Sequence, residues 1–237
     1  MTTDHSNAVQ EEQDLTYWRH RTPIGVKIEE ISGGARYSSA RLWELMARQV
    51  WSENGRDGDY RAIDHAENGA PLLQDSDERI SVSHTRGMFV VATLPPTPEA
   101  DLEQFSLRTA MGVDTERCGR TVNDAVRQRV FSAKEQELIP ADKSLLGWVC
   151  KEALYKAVLG GANSWTDDYS ILRLPDPDKE TTGEAEVTLP SGKEPFILYA
   201  WRSGDFIIAI AISPRCATYK KTTTDGKKST MANKSGR

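Results

Sequence analysis

Apolar residues recur at helical spacing between Tyr37 and Trp51, where Leu42, Leu45, Met46 and Val50 share one face and Arg41, Glu44 and Arg48 another. That period predicts an amphipathic helix with one side on a core. The pattern then shortens. Ile80–His84 and the strongly apolar Met88–Leu94 read as two strands joined by a turn at Thr85-Arg86-Gly87. Ala110–Glu116 reads as a strand that begins apolar and ends charged. Val122, Val126 and Val130, four apart, mark a helix, and Ser132 with Glu135 three residues on has the form of a capping box. Ser144 to Leu159 is the most strongly patterned helix, with Gly160-Gly161 as its stop. Four strand-like runs close the chain: Tyr169–Leu174, Glu184–Leu189, Phe196–Arg202 and Phe206–Ser213, with turn dipeptides at Ser191-Gly192 and Ser203-Gly204.

Turn-forming stretches at Asn54–Asp59 and Asn68–Pro71, and a stiff break at Leu94–Pro98, divide these elements. Each half places a long amphipathic helix before strands able to form a meander, without a residue-level repeat. This order predicts an α+β protein of two similar lobes related by a pseudo-twofold. The expected boundaries are an N-terminal lobe over 21–109 and a C-terminal lobe over 110–216. Residues 1–20 and 217–237 are expected to be disordered ends. A site between two such lobes is a common arrangement.

Composition narrows the class. No apolar run approaches the roughly 20 residues that cross a bilayer. The N-terminus is acidic and polar, unlike a secretory signal, so the expected location is the cytoplasm. Cys118, Cys150 and Cys216 are far apart and fit no metal spacing, which predicts reduced thiols. The net charge is −5, yet residues 217–237 hold six basic residues against Asp225; that tail is +5 and the rest of the chain −10. A body this acidic argues against a broad nucleic-acid footprint.

Three segments carry candidate chemistry. Alternation along Met111–Arg117 points Asp114 and Glu116 the same way. Two adjacent carboxylates are either a solvated acidic face or a cation site. Glu152 and Lys156, four apart on one helix face, are either a surface ion pair or a metal ligand beside a phosphate-neutralising cation, with Lys151 as a second cation. His84 ends a strand at a tight turn, as a structural residue or a phosphate donor.

Read in order, Gly69-Ala70-Pro71, Ser81-Val82-Ser83-His84, Gly112-Val113-Asp114-Thr115-Glu116, Phe131-Ser132 with Glu135, and Trp148 with Lys151-Glu152-Ala153 and Lys156 are distinctive. The chain resembles the 4'-phosphopantetheinyl transferase superfamily from about residue 36 to 213, and specifically its single-chain, two-lobed type named after surfactin synthetase activation. The resemblance implies that Asp114, Glu116 and Glu152 hold Mg²⁺ (or Mn²⁺) against the diphosphate of coenzyme A. It implies coenzyme A contacts from Arg41, Pro71, Ser83, His84, Lys151 and Lys156, and catalytic roles for Glu152 and Lys156. The first motif departs from the family's Gly-Lys-Pro, with Ala70 in place of the lysine; Arg36, Arg48 and Arg86 are the candidates to compensate.

The implied reaction moves phosphopantetheine from coenzyme A to a serine of an apo acyl or peptidyl carrier protein and releases 3',5'-ADP. The alternative is a degenerate module that binds coenzyme A or a carrier without catalysis. Two lobes in one chain imply a monomer. Carrier docking is assigned to Val122–Leu146, with Arg120, Arg127, Arg129 and Lys134 either as its contacts or as a solvated helix face.

Overall fold

The computed structural model describes residues 15–21, 26–33, 37–52, 63–67, 69–73, 78–94, 111–158 and 162–214. The first lobe runs β1 (Leu15–Arg21), β2 (Lys27–Gly33), α1 (Ser39–Ser52), β3 (Ile63–His65), β4 (Pro71–Leu73), β5 (Arg79–Thr85) and β6 (Met88–Leu94). The second runs β7 (Met111–Arg117), α2 (Asp124–Val130), α3 (Ala133–Leu138), a 3₁₀ turn (Ala141–Lys143), α4 (Ser144–Ala157), β8 (Tyr169–Arg173), β9 (Gly183–Leu189), β10 (Gly192–Ser203) and β11 (Phe206–Ile212).

Both sheets are antiparallel, ordered β1-β2-β6-β5-β4-β3 and β7-β11-β10-β9-β8. Without β1, the two orders are the same: the strand before the long helix pairs with the last strand of the meander, and the rest follow in reverse. The expected pair of similar α+β lobes is therefore present in the strand order itself. Residues 15–20 correct one expectation, since the end of the stretch expected to be disordered forms edge strand β1 against β2. The Leu94–Pro98 break, Asn54–Asp59, Gly160-Gly161 and the basic tail lie outside the described residues, apart from Leu94 at the end of β6.

The core explains why β6 and β11 are nearly continuous apolar runs. Side chains alternate across a strand. On β6, Met88, Val90, Ala92 and Leu94 join Phe206, Ile208, Ile210 and Ile212 of β11 in a cluster between the sheets. The alternate residues Phe89 and Val91 meet Leu42, Leu45 and Met46 of α1. Ile207, Ala209 and Ala211 meet Val149, Ala153 and Leu154 of α4. The order of layers is α1, first sheet, second sheet, α4, and a strand buried on both faces has no polar side to show. Each of these large aliphatic side chains contributes roughly 1.5–3 kcal/mol on burial.

Two glycines carry specific constraints. Gly87 closes the β5–β6 hairpin at φ +89°, a conformation that other residues rarely adopt. Gly112 lies under α4, where an added Cβ would sit 2.1 Å from the Ala153 carbonyl oxygen and 2.5 Å from the Ala157 nitrogen. The missing side chain lets strand and helix backbones touch.

Candidate active site at the β5–β7–α4 junction

β7 is the edge of its sheet, paired on one side with β11. Its other edge would present unpaired N–H groups, which must find partners when buried. β5 supplies them through side chains. Ser81 Oγ accepts from Val113 N at 2.9 Å, and Ser83 Oγ accepts from Thr115 N at 3.1 Å. The two-residue spacing of the serines matches the spacing of the exposed donors, so the Ser-Val-Ser run seams the two lobes.

The same seam places Asp114. Ser83 Oγ donates to Asp114 Oδ1 at 2.8 Å, and Lys156 Nζ from α4 donates to the same oxygen at 2.8 Å. Asp114 is only 7% exposed. Glu116, two residues on, leans the same way and is held by Arg120 Nη1. The Arg120 guanidinium also lies over the Trp148 ring, 5.5 Å from its centroid. Glu152 completes the group electrostatically. Burial, and then the Asp114 charge, push its carboxyl above the ordinary range, while Lys156 and Arg120 pull it back. Buried Cys150 has its thiol pushed up by the same two causes, which makes it inert.

The structure therefore brings Ser83, Asp114, Glu152 and Lys156 together, with Glu116 and Arg120 beside them. Among the described residues, no three His, Cys, Asp or Glu side chains stand gathered around one point as a metal cluster. Asp114 and Glu116 instead face Lys156 and Arg120. The chemistry of the donor set still fits a hard divalent cation. It consists of carboxylate oxygens, and the Asp114 charge disfavours ionisation of Glu152, a penalty that a bound cation would relieve.

Lys151 requires a correction. Expected beside the diphosphate, it is fully buried, and its ammonium donates to Glu135 at 2.9 Å, to the Trp165 carbonyl at 2.7 Å and to the Tyr169 carbonyl. An ammonium has three protons, and all are committed. Its partner Glu135 is the acid of the predicted capping box. Glu135 accepts from Ser132 N and Oγ at 2.9 and 3.0 Å and from Ile171 N at 2.7 Å. Ser132, Glu135 and Lys151 thus clamp α3, α4 and β8 together.

Other expected contacts lie elsewhere. His84 follows Ser83 on the opposite face of β5, its ring stacked on Phe89 at 6.0 Å. Arg41 on α1 pairs with Glu44 at 2.8 Å, and Pro71 sits on β4 opposite His65. These three belong to the first sheet and its helix. Ala70 is 6% exposed, so the position of the missing lysine is closed. Arg86 is exposed at the hairpin, whereas Arg36 and the Arg48 side chain lie outside the described residues. Arg127, a candidate docking contact, is spent internally on Ser144 Oγ and on the Ile139 carbonyl at 3.0 Å. Arg129 and Lys134 are exposed. Arg120 on Glu116 and the serine seam are the features sequence spacing did not reveal as contacts.

Residues 110–211 match the 4'-phosphopantetheinyl transferase superfamily. The matched segment holds Asp114, Glu116, Glu135, Lys151, Glu152 and Lys156, and its similarity to that superfamily's domain supports phosphopantetheine transfer in general. No curated protein matches the chain. Among the described residues, no helix is long and apolar enough to cross a membrane.

Proposed function

We propose that the chain is a cytoplasmic, monomeric transferase that moves 4'-phosphopantetheine from coenzyme A to a serine of an apo acyl or peptidyl carrier protein, releasing 3',5'-ADP. The observation that carries this reading is the convergence of Asp114, Glu152 and Lys156 where α4 crosses β7, inside the superfamily-matched segment. Asp114, Glu116 and Glu152 would hold Mg²⁺ or Mn²⁺, which neutralises charge on the phosphoryl oxygens when bound.

The chain's own residues supply positioning and proton handling. Glu152 has its proton affinity raised by burial and by Asp114, so it takes the proton of the carrier serine directly or through one water. The serine oxygen bonds to the β-phosphorus as the bond from that phosphorus to the bridging oxygen breaks. The electron pair leaves with 3',5'-ADP. Lys156, held at the site by Asp114, neutralises the departing phosphate. Ser83 holds Asp114 from the other lobe. His84, Arg41 and Pro71 are assigned to the more distant parts of coenzyme A. Exposed Arg129 and Lys134 are assigned to the acidic carrier surface.

The test incubates the chain with Mg²⁺, coenzyme A and an apo carrier and reads the carrier by intact mass. A mass gain of one phosphopantetheine, absent with a carrier lacking the serine, is expected; no gain on any of a panel of fatty-acid, polyketide and nonribosomal-peptide carriers overturns the reading. The closed position at Ala70 favours one second reading, a module that binds coenzyme A without turnover. Calorimetric coenzyme A binding together with that silent panel would establish it.

A further inference from the structure

Arg120 is the cation of this site that the reaction does not absorb. Its backbone is fixed by a turn: Arg120 N donates to the Arg117 carbonyl at 2.9 Å, and Cys118 N donates to the Asp205 carbonyl at 2.7 Å. Its side chain is not enclosed. The guanidinium side is 48% exposed, against 15% for the Glu116 side chain it holds. Arg120 also lines a cavity of about 320 Å³ whose wall includes Asp142, Lys143, Asp176 and Arg202 but not Glu116, so space adjoins the guanidinium beyond its present partner. Lys156 differs, being 25% exposed, mounted on α4 and tied to Asp114.

A guanidinium does not lose its charge within the stability range of a protein, so it cannot yield Glu116 by deprotonation. A cation that takes Glu116 as a ligand must displace it bodily. We infer that Arg120 is a stand-in counter-ion: it occupies Glu116 in the metal-free protein and swings off on entry of a divalent cation, so that it sets the cation affinity of the site. This inference rests on the reading of Asp114, Glu116 and Glu152 as metal ligands. The movement has a built-in reporter, because the same guanidinium lies over Trp148.

The experiment titrates Mg²⁺ into the metal-free full-length chain, with heat and tryptophan fluorescence as readouts. Wild type is compared with Arg120→Gln and with Arg117→Gln, a cation of the same strand end that lies over Phe206 instead. Circular dichroism verifies that each is folded, and Arg120→Lys restores the charge if needed. Expected is several-fold tighter binding in Arg120→Gln, near-wild-type binding in Arg117→Gln, and loss of the Mg²⁺-dependent fluorescence change with Arg120→Gln. Equal affinity in wild type and Arg120→Gln, or an equal gain in Arg117→Gln, overturns the displacement role while leaving the metal reading standing. No binding by either wild type or Arg120→Gln removes the metal reading and the inference together.

Discussion

Ser83 and Asp114 come from different lobes, yet the serine hydroxyl donates to the aspartate at 2.8 Å while accepting the N–H of Thr115. One side chain therefore joins the sheets, satisfies an edge strand and orients an acid.

Ser83→Ala removes all three roles and leaves a buried N–H without its acceptor. The expected loss is about 1–3 kcal/mol in denaturant unfolding, with a fall in transfer rate that Ser83→Thr partly restores. An alanine variant as stable as wild type would mean that another group satisfies Thr115.

Asp114→Ala is expected to abolish transfer while circular dichroism still shows a folded protein, since the backbone pairing of β7 with β11 does not depend on this side chain. Lys156→Ala retains the acids and is expected to slow turnover on the order of a hundredfold. Single-turnover measurements separate the two. A Lys156 variant at full rate would reduce that residue to an ion-pair partner of Asp114.

Lys151→Met tests the buried Lys151–Glu135 pair. Breaking one side of a buried pair costs about 3–5 kcal/mol, so the midpoint of unfolding falls while KM for coenzyme A in the surviving folded protein holds. Adding Glu135→Leu is expected to recover part of the loss. A raised KM at unchanged stability would return Lys151 to the diphosphate.

Glu152 gives a pH signature in the metal-free protein. Its folded-state carboxyl titrates above the ordinary value because burial, then Asp114, disfavour the charge. In the window between the ordinary and the raised value the folded state binds more protons than the unfolded one. This group therefore subtracts stability as pH rises through that window. Glu152→Gln, measured with chelator present, is expected to raise Tm at neutral pH and flatten its slope below it, with transfer lost. An unchanged slope would place Glu152 in a solvated setting.

Much of the fold was legible because β6, β7, α4 and β8–β11 have clean periods, and the Ser132–Glu135 box reads directly as an N-terminus. β2 was not legible. It buries Glu29 and Glu30 among its apolar residues, and Trp201 Nε1 donates to Glu30 at 2.6 Å across the lobes. Such charges erase the alternation that marks a strand. The three-residue strands β3 and β4 are too short to show any period. Lys151 read as a second phosphate-neutralising cation because Glu152 and Lys156 are near it in sequence. The signal lay in its helical register: Ser144, Gly147, Lys151 and Leu154 share a face, and all four are buried. Partners across space, such as Arg120 on Glu116 four residues apart at a turn, leave no period to read.

The bare Cα at position 112 acts as a gauge. Even one methyl there would lift α4 from β7 and carry Glu152 and Lys156 with it, widening the gap across which a proton and a phosphate must pass. A library randomised at this codon should thus return folded but inert clones, and the reach of the helix to the strand is the dimension that variation in this lobe must leave untouched.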